Sequence, residues 1–236
     1  MTLSDALPPD QATFTGDELI ALRGHWRWSE LQVETTRAGL VKVGSGYMRR
    51  NAGLIQVISE LHIPVDQIGW RTAAYMHGAM PEPPRPVEVV SHHTHTRTMI
   101  GGREPLMQAR TRPADACRPA APIPGSHGIP VTTCELTIAD LISDQPDGWI
   151  DTVGTVERLA EGGIDVAAIA RMLDAQRHAD AIARRLGWLL DRWGLDSSPL
   201  RRLLVPGNRN PSLLIRGGRS IGIVDSKWEL RVNTPK

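Results

Sequence analysis

The sequence predicts an α+β chain in which a short N-terminal winged-helix-like unit is followed by a mixed helical and β domain. Three observations carry this. Two helical stretches and a basic, alternating hairpin follow one another within residues 14–50. A Pro- and Gly-rich stretch with one clear strand occupies the middle, and amphipathic helical periodicity dominates the C-terminal half. The expected domains are therefore 14–50 and 51–236.

Residues 1–13, with Pro8, Pro9 and two aspartates, read as a loose arm. Thr15 and Glu18 then have capping-box spacing at the head of ELIALRG, which predicts a short helix. The run HWRWSELQVETTRAG sets Trp28, Leu31 and Thr35 on one side, spreads Arg27, Glu30, Glu34 and Arg37 around it, and closes at Gly39. LVKVGSGYMRR alternates apolar with polar residues across Gly44-Ser45-Gly46, as a hairpin does whose turn needs positive φ.

Residues 51–78 read as a buried helical connector that breaks at Pro64 and resumes through Ala73, Ala74 and Met76. Between Met80 and Ile129 lie the strand PVEVVSH, a turn at Gly101-Gly102 and a return strand near LMQART. Thr132 and Glu135 form a second capping box, ahead of Leu136, Leu141 and Ile142. Asp165 caps an amphipathic stretch that a break near residues 175–179 divides into two helices. Gly187 lies inside the second, which suggests that another backbone approaches closely there. Ser198 and Pro199 start a short helix, SLLIRGGRSIGIVD reads as a hairpin about Gly217-Gly218, and KWELRVN is the final strand.

Composition removes several classes. With 236 residues, 41% of them hydrophobic, and two cysteines, the chain is neither disordered throughout nor a disulfide-stapled mini-protein. No uninterrupted apolar stretch reaches the ~18 residues of a membrane span, and the acidic N-terminus is unlike a secretory signal. A soluble cytoplasmic protein is expected, and Cys117 and Cys134, which form no CxxC pair, suit a reducing compartment. The 27 Lys and Arg nearly balance 26 Asp and Glu, but unevenly along the chain: residues 23–50 and 151–236 are each net +4 around a negative middle. Such blocks can mark a nucleic-acid face and a separate partner face, although a solvated surface is the commoner cause.

Catalytic signatures are weak. Ser91-His92-His93-Thr94-His95-Thr96 puts His93 and His95 on one side of a strand, but no HExxH or CxxC supplies further ligands. Asp225, Lys227 and Glu229 alternate along the last strand as in metal-dependent nucleases, yet a second acid would have to be chosen arbitrarily from Asp191 or Asp196. No Walker loop, nucleophile elbow, kinase set or dinucleotide fingerprint is present. The expectation is a protein without catalytic residues, metal or cofactor. On the helix that begins near Ala179, Leu186, Leu189, Leu190 and Trp193 share one side, and Arg185, Trp188 and Arg192 form a second stripe suited to an acidic partner.

IGWRTAAYMHGAM followed by a strand, then HGIPVTTCELTIADLI, then ARRLGWLLDRWG with a closing DSKWELRVN, together resemble in this order the AbiEi-type bacterial antitoxins of toxin–antitoxin and abortive-infection systems. The resemblance covers roughly residues 68–233. In that family a winged helix-turn-helix precedes an antitoxin domain, and the neighbouring gene encodes a nucleotidyltransferase-like toxin. It implies that this chain neutralises such a toxin, represses its own operon and takes part in phage defence. The wing GLVKVGSGYM also resembles the family's.

The helix Trp28 to Arg37 is the expected recognition helix, with Arg27, Gln32 or Arg37 as base readers. Lys42, Arg49 and Arg50 flank the wing where phosphates would lie. One winged unit reads only a few base pairs, so self-association on operator DNA is expected. The stripe Arg185, Trp188, Arg192 is the expected toxin-binding surface. The alternatives are a stand-alone winged-helix transcriptional regulator and a metal-dependent nuclease.

Overall fold

Leu3 and Leu7 are buried, so the N-terminal unit begins well before residue 14. The computed structural model describes residues 2–23, 28–91, 98–110, 120–174, 178–205 and 211–233. They pack as an α+β architecture of two compact units. The first comprises Met1–Ile68, Pro84–Arg112 and Ala121–Val131, and the second Gly69–Pro83, Pro113–Ala120 and Thr132–Lys236. Residue 50, where the sequence sets its boundary, lies inside the first.

Helix α1 (Leu3–Ala6) replaces the expected loose arm. Thr2 and Asp5 cap it reciprocally, and Leu3 and Leu7 enter a core with Phe14, Leu19, Leu31, Leu40 and Tyr47. Two buried leucines among prolines are too short a signal to read as a helix. Strand β1 (Thr13–Thr15) leads into α2 (Gly16–Arg23), headed by the expected box: the Thr15 amide donates to Glu18 Oε2 at 2.6 Å and the Glu18 amide to Thr15 Oγ1 at 3.2 Å. Helix α3 (Trp28–Arg37) ends before Gly39, and β2 (Leu40–Val43) and β3 (Gly46–Arg49) form the expected antiparallel hairpin. The order α1, β1, α2, α3, β2, β3 is compatible with a winged helix, and α1 contributes a helix hidden in the arm.

The connector holds α4 (Leu54–Glu60) and a short strand β4 (Gln67–Ile68). Strand β5 (Val87–Val90) pairs antiparallel with β4, and β6 (Met99–Ile100) and β7 (Glu104–Pro105) form a hairpin about Gly101-Gly102. The strand β8 (Met107–Arg110) does not return antiparallel to β5 as expected; it runs parallel, because the β6–β7 hairpin lies in the crossover between them. Among the described residues, β1-β3-β2-β6-β7 make one sheet and β4-β5-β8 another.

The second unit begins with α5 (Trp70–Met76) and continues with α6 (Cys134–Asp144), α7 (Trp149–Glu161), α8 (Val166–Asp174) and α9 (Ala179–Arg192). The α6 cap is Thr133, which accepts from the Leu136 amide at 3.3 Å, not Thr132, whose hydroxyl is buried against Thr137 Oγ1 at 2.8 Å. Asp165 caps α8 through the Ala168 amide at 2.9 Å, as expected. A 3₁₀-helix follows at Ser198–Leu203. Strand β9 (Ser212–Leu213) does not form a hairpin with β10 (Gly222–Asp225). Strand β11 (Leu230–Asn233) inserts between them, parallel to β9 and antiparallel to β10. Among the described residues no helix is long and apolar enough to cross a membrane.

Candidate nucleic-acid and partner surfaces

On α3, Leu31 and Thr35 are buried, and the Thr35 hydroxyl folds back onto the Leu31 carbonyl at 2.9 Å. That leaves Gln32, Thr36 and Arg37 on the outer side of the helix. Lys42 on β2 is exposed, as is Arg50 just beyond β3. The β6–β7 hairpin joins this surface because Val43 pairs with Ile100 and the Gly101 amide donates to the Lys42 carbonyl at 2.8 Å. Its tip carries the exposed Arg103.

Gln32, Thr36, Lys42, Arg50 and Arg103 line one open cavity of about 990 Å³. Three cations and Glu104 border it on the strand side, and hydroxyl and amide groups on the helix side. Such a wall can hold an anionic, hydrogen-bonding backbone. Sequence reasoning missed Arg103. The Gly101-Gly102 turn places it on a hairpin, but the pairing of that hairpin with β2 spans more than fifty residues.

The other expected DNA-binding residues are elsewhere. Arg49 is half-buried and holds the start of the chain: its guanidinium donates to the Gln11 carbonyl at 2.9 Å and the Pro8 carbonyl at 2.7 Å, and its Cζ lies 5.6 Å from the Phe14 ring centre. Arg37 pairs with Glu34 at 2.7 Å and stays outside the cavity lining. Arg27 and the side chain of Trp28 lie outside the described residues.

In the second unit α9 buries Ile182, Ala183, Leu186, Leu189 and Leu190, as its period predicts. It also buries two arginines. Arg184, 1% exposed, donates to Asp180, to Glu229 Oε2 at 2.7 Å, to the Trp228 carbonyl at 2.9 Å and to the Val205 carbonyl at 3.1 Å. Burial alone would lower its pKa, but bonding to Asp180 and Glu229 outweighs this and holds it above the ordinary value. Arg185 is 9% exposed and donates to the Leu213 carbonyl at 2.8 Å. Burial, and then the charge of Arg216, push its pKa down to about 10.

Arg185 therefore faces the interior, apart from the rest of its stripe. Trp188 is half-buried and Arg192 is exposed, and the Arg192 guanidinium lies 4.7 Å from the centre of the Trp188 ring. A cation stacked on an indole at the wet side of a helix forms a compact anchor with a positive rim.

The residues of the nuclease alternative do not alternate along one strand. Only Asp225 lies in β10; Lys227 and Glu229 sit in the turn before β11 and pair with Asp191 and Arg184. Residues 92–97, with the histidine cluster, lie outside the described residues. Among the described residues no group of three or more His, Cys, Asp or Glu is placed to hold a metal ion.

Residues 67–192 match the family described as the AbiEi antitoxin C-terminal domain. The fold is similar to that in a crystal structure of the RV2827C protein from Mycobacterium tuberculosis, with a TM-score of 0.70 at 15% identity over 97% of this chain and 88% of that one. At that identity the likeness concerns the fold alone. No curated protein sequence matches the chain.

Proposed function

The chain belongs to the AbiEi antitoxin family, and on that premise we propose that it neutralises a nucleotidyltransferase-like toxin by binding it and represses its own operon by binding operator DNA. The observation that carries the first part is the stacked Trp188–Arg192 pair, which stands on the wet side of α9 at the end of the matched segment. A nucleotide-transferring toxin must hold phosphates and Mg²⁺, so its cleft is lined by acidic metal ligands. An aromatic anchor with an arginine rim complements such a cleft, and the excess of four positive charges in residues 151–236 steers the encounter. Covering the cleft stops the toxin without any chemistry by the antitoxin.

The experiment is co-expression with the adjacent gene's toxin. Trp188→Ala together with Arg192→Glu should release growth arrest while the antitoxin stays folded. Continued protection removes this pair from the toxin interface. Arg185 has no place in the test, because charge reversal at a buried arginine would disturb folding rather than binding.

Operator binding is supported by the cavity of the first unit. Lys42, Arg50 and Arg103 would neutralise phosphates, and Gln32 on α3 is the base reader that shares their wall. Gel shifts with the promoter region of the operon test this. Binding that survives replacing all three cations with alanine would refute the placement.

A further inference from the structure

Strand β10 exposes apolar side chains on both of its faces. Ile221, Ile223 and Val224 are 75%, 82% and 44% exposed. Successive side chains of a strand point to opposite faces, so Ile223 and Val224 leave neither face covered. The order β10-β11-β9 puts β10 at an edge, and among the described residues its outer side pairs with no strand. Proteins usually blunt such an edge with lysine, proline or a bulge. The stretch 220–225, SIGIVD, contains no lysine or proline, and its ladder with β11 runs unbroken from Gly222↔Asn233 to Asp225↔Leu230.

The edge is also held firmly from behind. Gly222 has φ +151°, and a Cβ there would collide with the Val232 backbone, so β10 lies tight against β11. Arg231 Nη1 also donates to the Gly222 carbonyl at 3.1 Å, and because a carbonyl oxygen accepts two bonds an arriving strand can share it. Little ordering remains to be done when another strand arrives.

The strand's own sequence selects its occupant. Antiparallel pairing of two copies with Gly222 opposite Gly222 sets Ile221 of each opposite Ile223 of the other on one face. The same register brings Arg219 level with Asp225 of the second copy at both ends. Shifting it to put Ile223 opposite Ile223 would set each Ile221 against Asp225. Apolar and charge matching thus favour one self-complementary register.

We propose that β10 is a self-association edge. It pairs antiparallel with β10 of a second copy about a twofold axis at Gly222, merging two three-stranded sheets into one. The area is that of one strand pair, below the ~1,000 Å² of a standing interface, so the dimer is weak and reversible. It requires neither the toxin nor the operator reading.

Sedimentation equilibrium of the full chain alone tests this, from low micromolar to high hundreds of micromolar. The apparent mass should climb from 25.9 kDa toward twice that value. Ile223→Lys and Arg219→Asp, both at exposed positions, should hold it at the monomer across the range with unchanged melting temperature. Ile150→Lys, at another exposed apolar position, should dimerise as the wild type does. A wild-type mass that stays at the monomer, an Ile223→Lys variant that still dimerises, or equal loss in Ile150→Lys would overturn the proposal.

Discussion

Trp228 fills the space where a side chain on Gly187 would stand. The indole is fully buried, and a Cβ built at position 187 would fall among its six-membered ring carbons. One turn further along α9, Asp191 accepts from the indole Nε1 at 2.6 Å. The glycine in mid-helix thus admits an aromatic side chain, not the second backbone that the sequence suggests. Trp228 reaches this place because Arg184 binds its carbonyl and Asp225 Oδ1 its amide, at 2.9 Å and 3.0 Å.

Gly187→Ala should therefore destabilise the protein despite its helix propensity. Overpacking costs about 1–3 kcal/mol, more than the ~1 kcal/mol that alanine gains over glycine in a helix. Gly154, inside α7, has only the Arg158 guanidinium nearby, 3.7 Å from where a Cβ would stand, and Gly154→Ala should stabilise by up to about 1 kcal/mol. Urea denaturation of the two variants should show opposite signs.

Arg49→Ala should loosen the start of the chain rather than weaken phosphate binding. Loss of its bonds to the Pro8 and Gln11 carbonyls should cost about 1–2 kcal/mol and open residues 1–12 to proteolysis. Limited digestion followed by mass spectrometry reads this. A protected arm in the variant would contradict the assignment.

The cavity of the first unit makes a quantitative prediction about salt. Each phosphate deprived of its cation should flatten the dependence of log K on log salt by about 0.9. Lys42→Ala, Arg50→Ala and Arg103→Ala should each do so on operator and on unrelated DNA alike, whereas Gln32→Ala should weaken the operator selectively. Arg103 is the sharpest of the four, because it stands on a hairpin outside the expected wing.

Asp191 predicts part of the response to acid. Burial would raise its pKa, but hydrogen bonds from Lys227, Ser197 and Trp228 prevail and hold it below the usual carboxylate value of 3.8. A carboxylate with a depressed folded pKa contributes stability that is complete above its unfolded value and is lost as pH falls through the folded one. The stability gap between wild type and Asp191→Asn should be widest at neutral pH and should close below about pH 4. Thermal melts across that range measure it, and a gap constant with pH would count against the network.

Local signals are legible in the sequence. The Thr15–Glu18 box, the cap at Asp165, the break between α8 and α9 and the β2–β3 hairpin each need only neighbours within a few residues. Pairings that depend on distant strands are not. Strand β11 separates β9 from β10 and β8 runs parallel to β5, and no local pattern distinguishes these from hairpins. The candidate sites divide in the same way. Gln32, Lys42 and Arg50 are brought together by their own elements, but helical spacing cannot reveal that β9 offers Arg185 a carbonyl. Arg49 escapes sequence reasoning because its partners belong to an arm that reads as loose.

The most direct test of the central claim is co-expression of this chain with the product of its adjacent gene, scored for growth and then for co-purification. Growth restored to the level of the empty strain, with a complex that survives purification and is lost with Trp188→Ala and Arg192→Glu together, is the expected result. Arrest that persists while both proteins accumulate in soluble form, or rescue without any complex, would contradict neutralisation by binding.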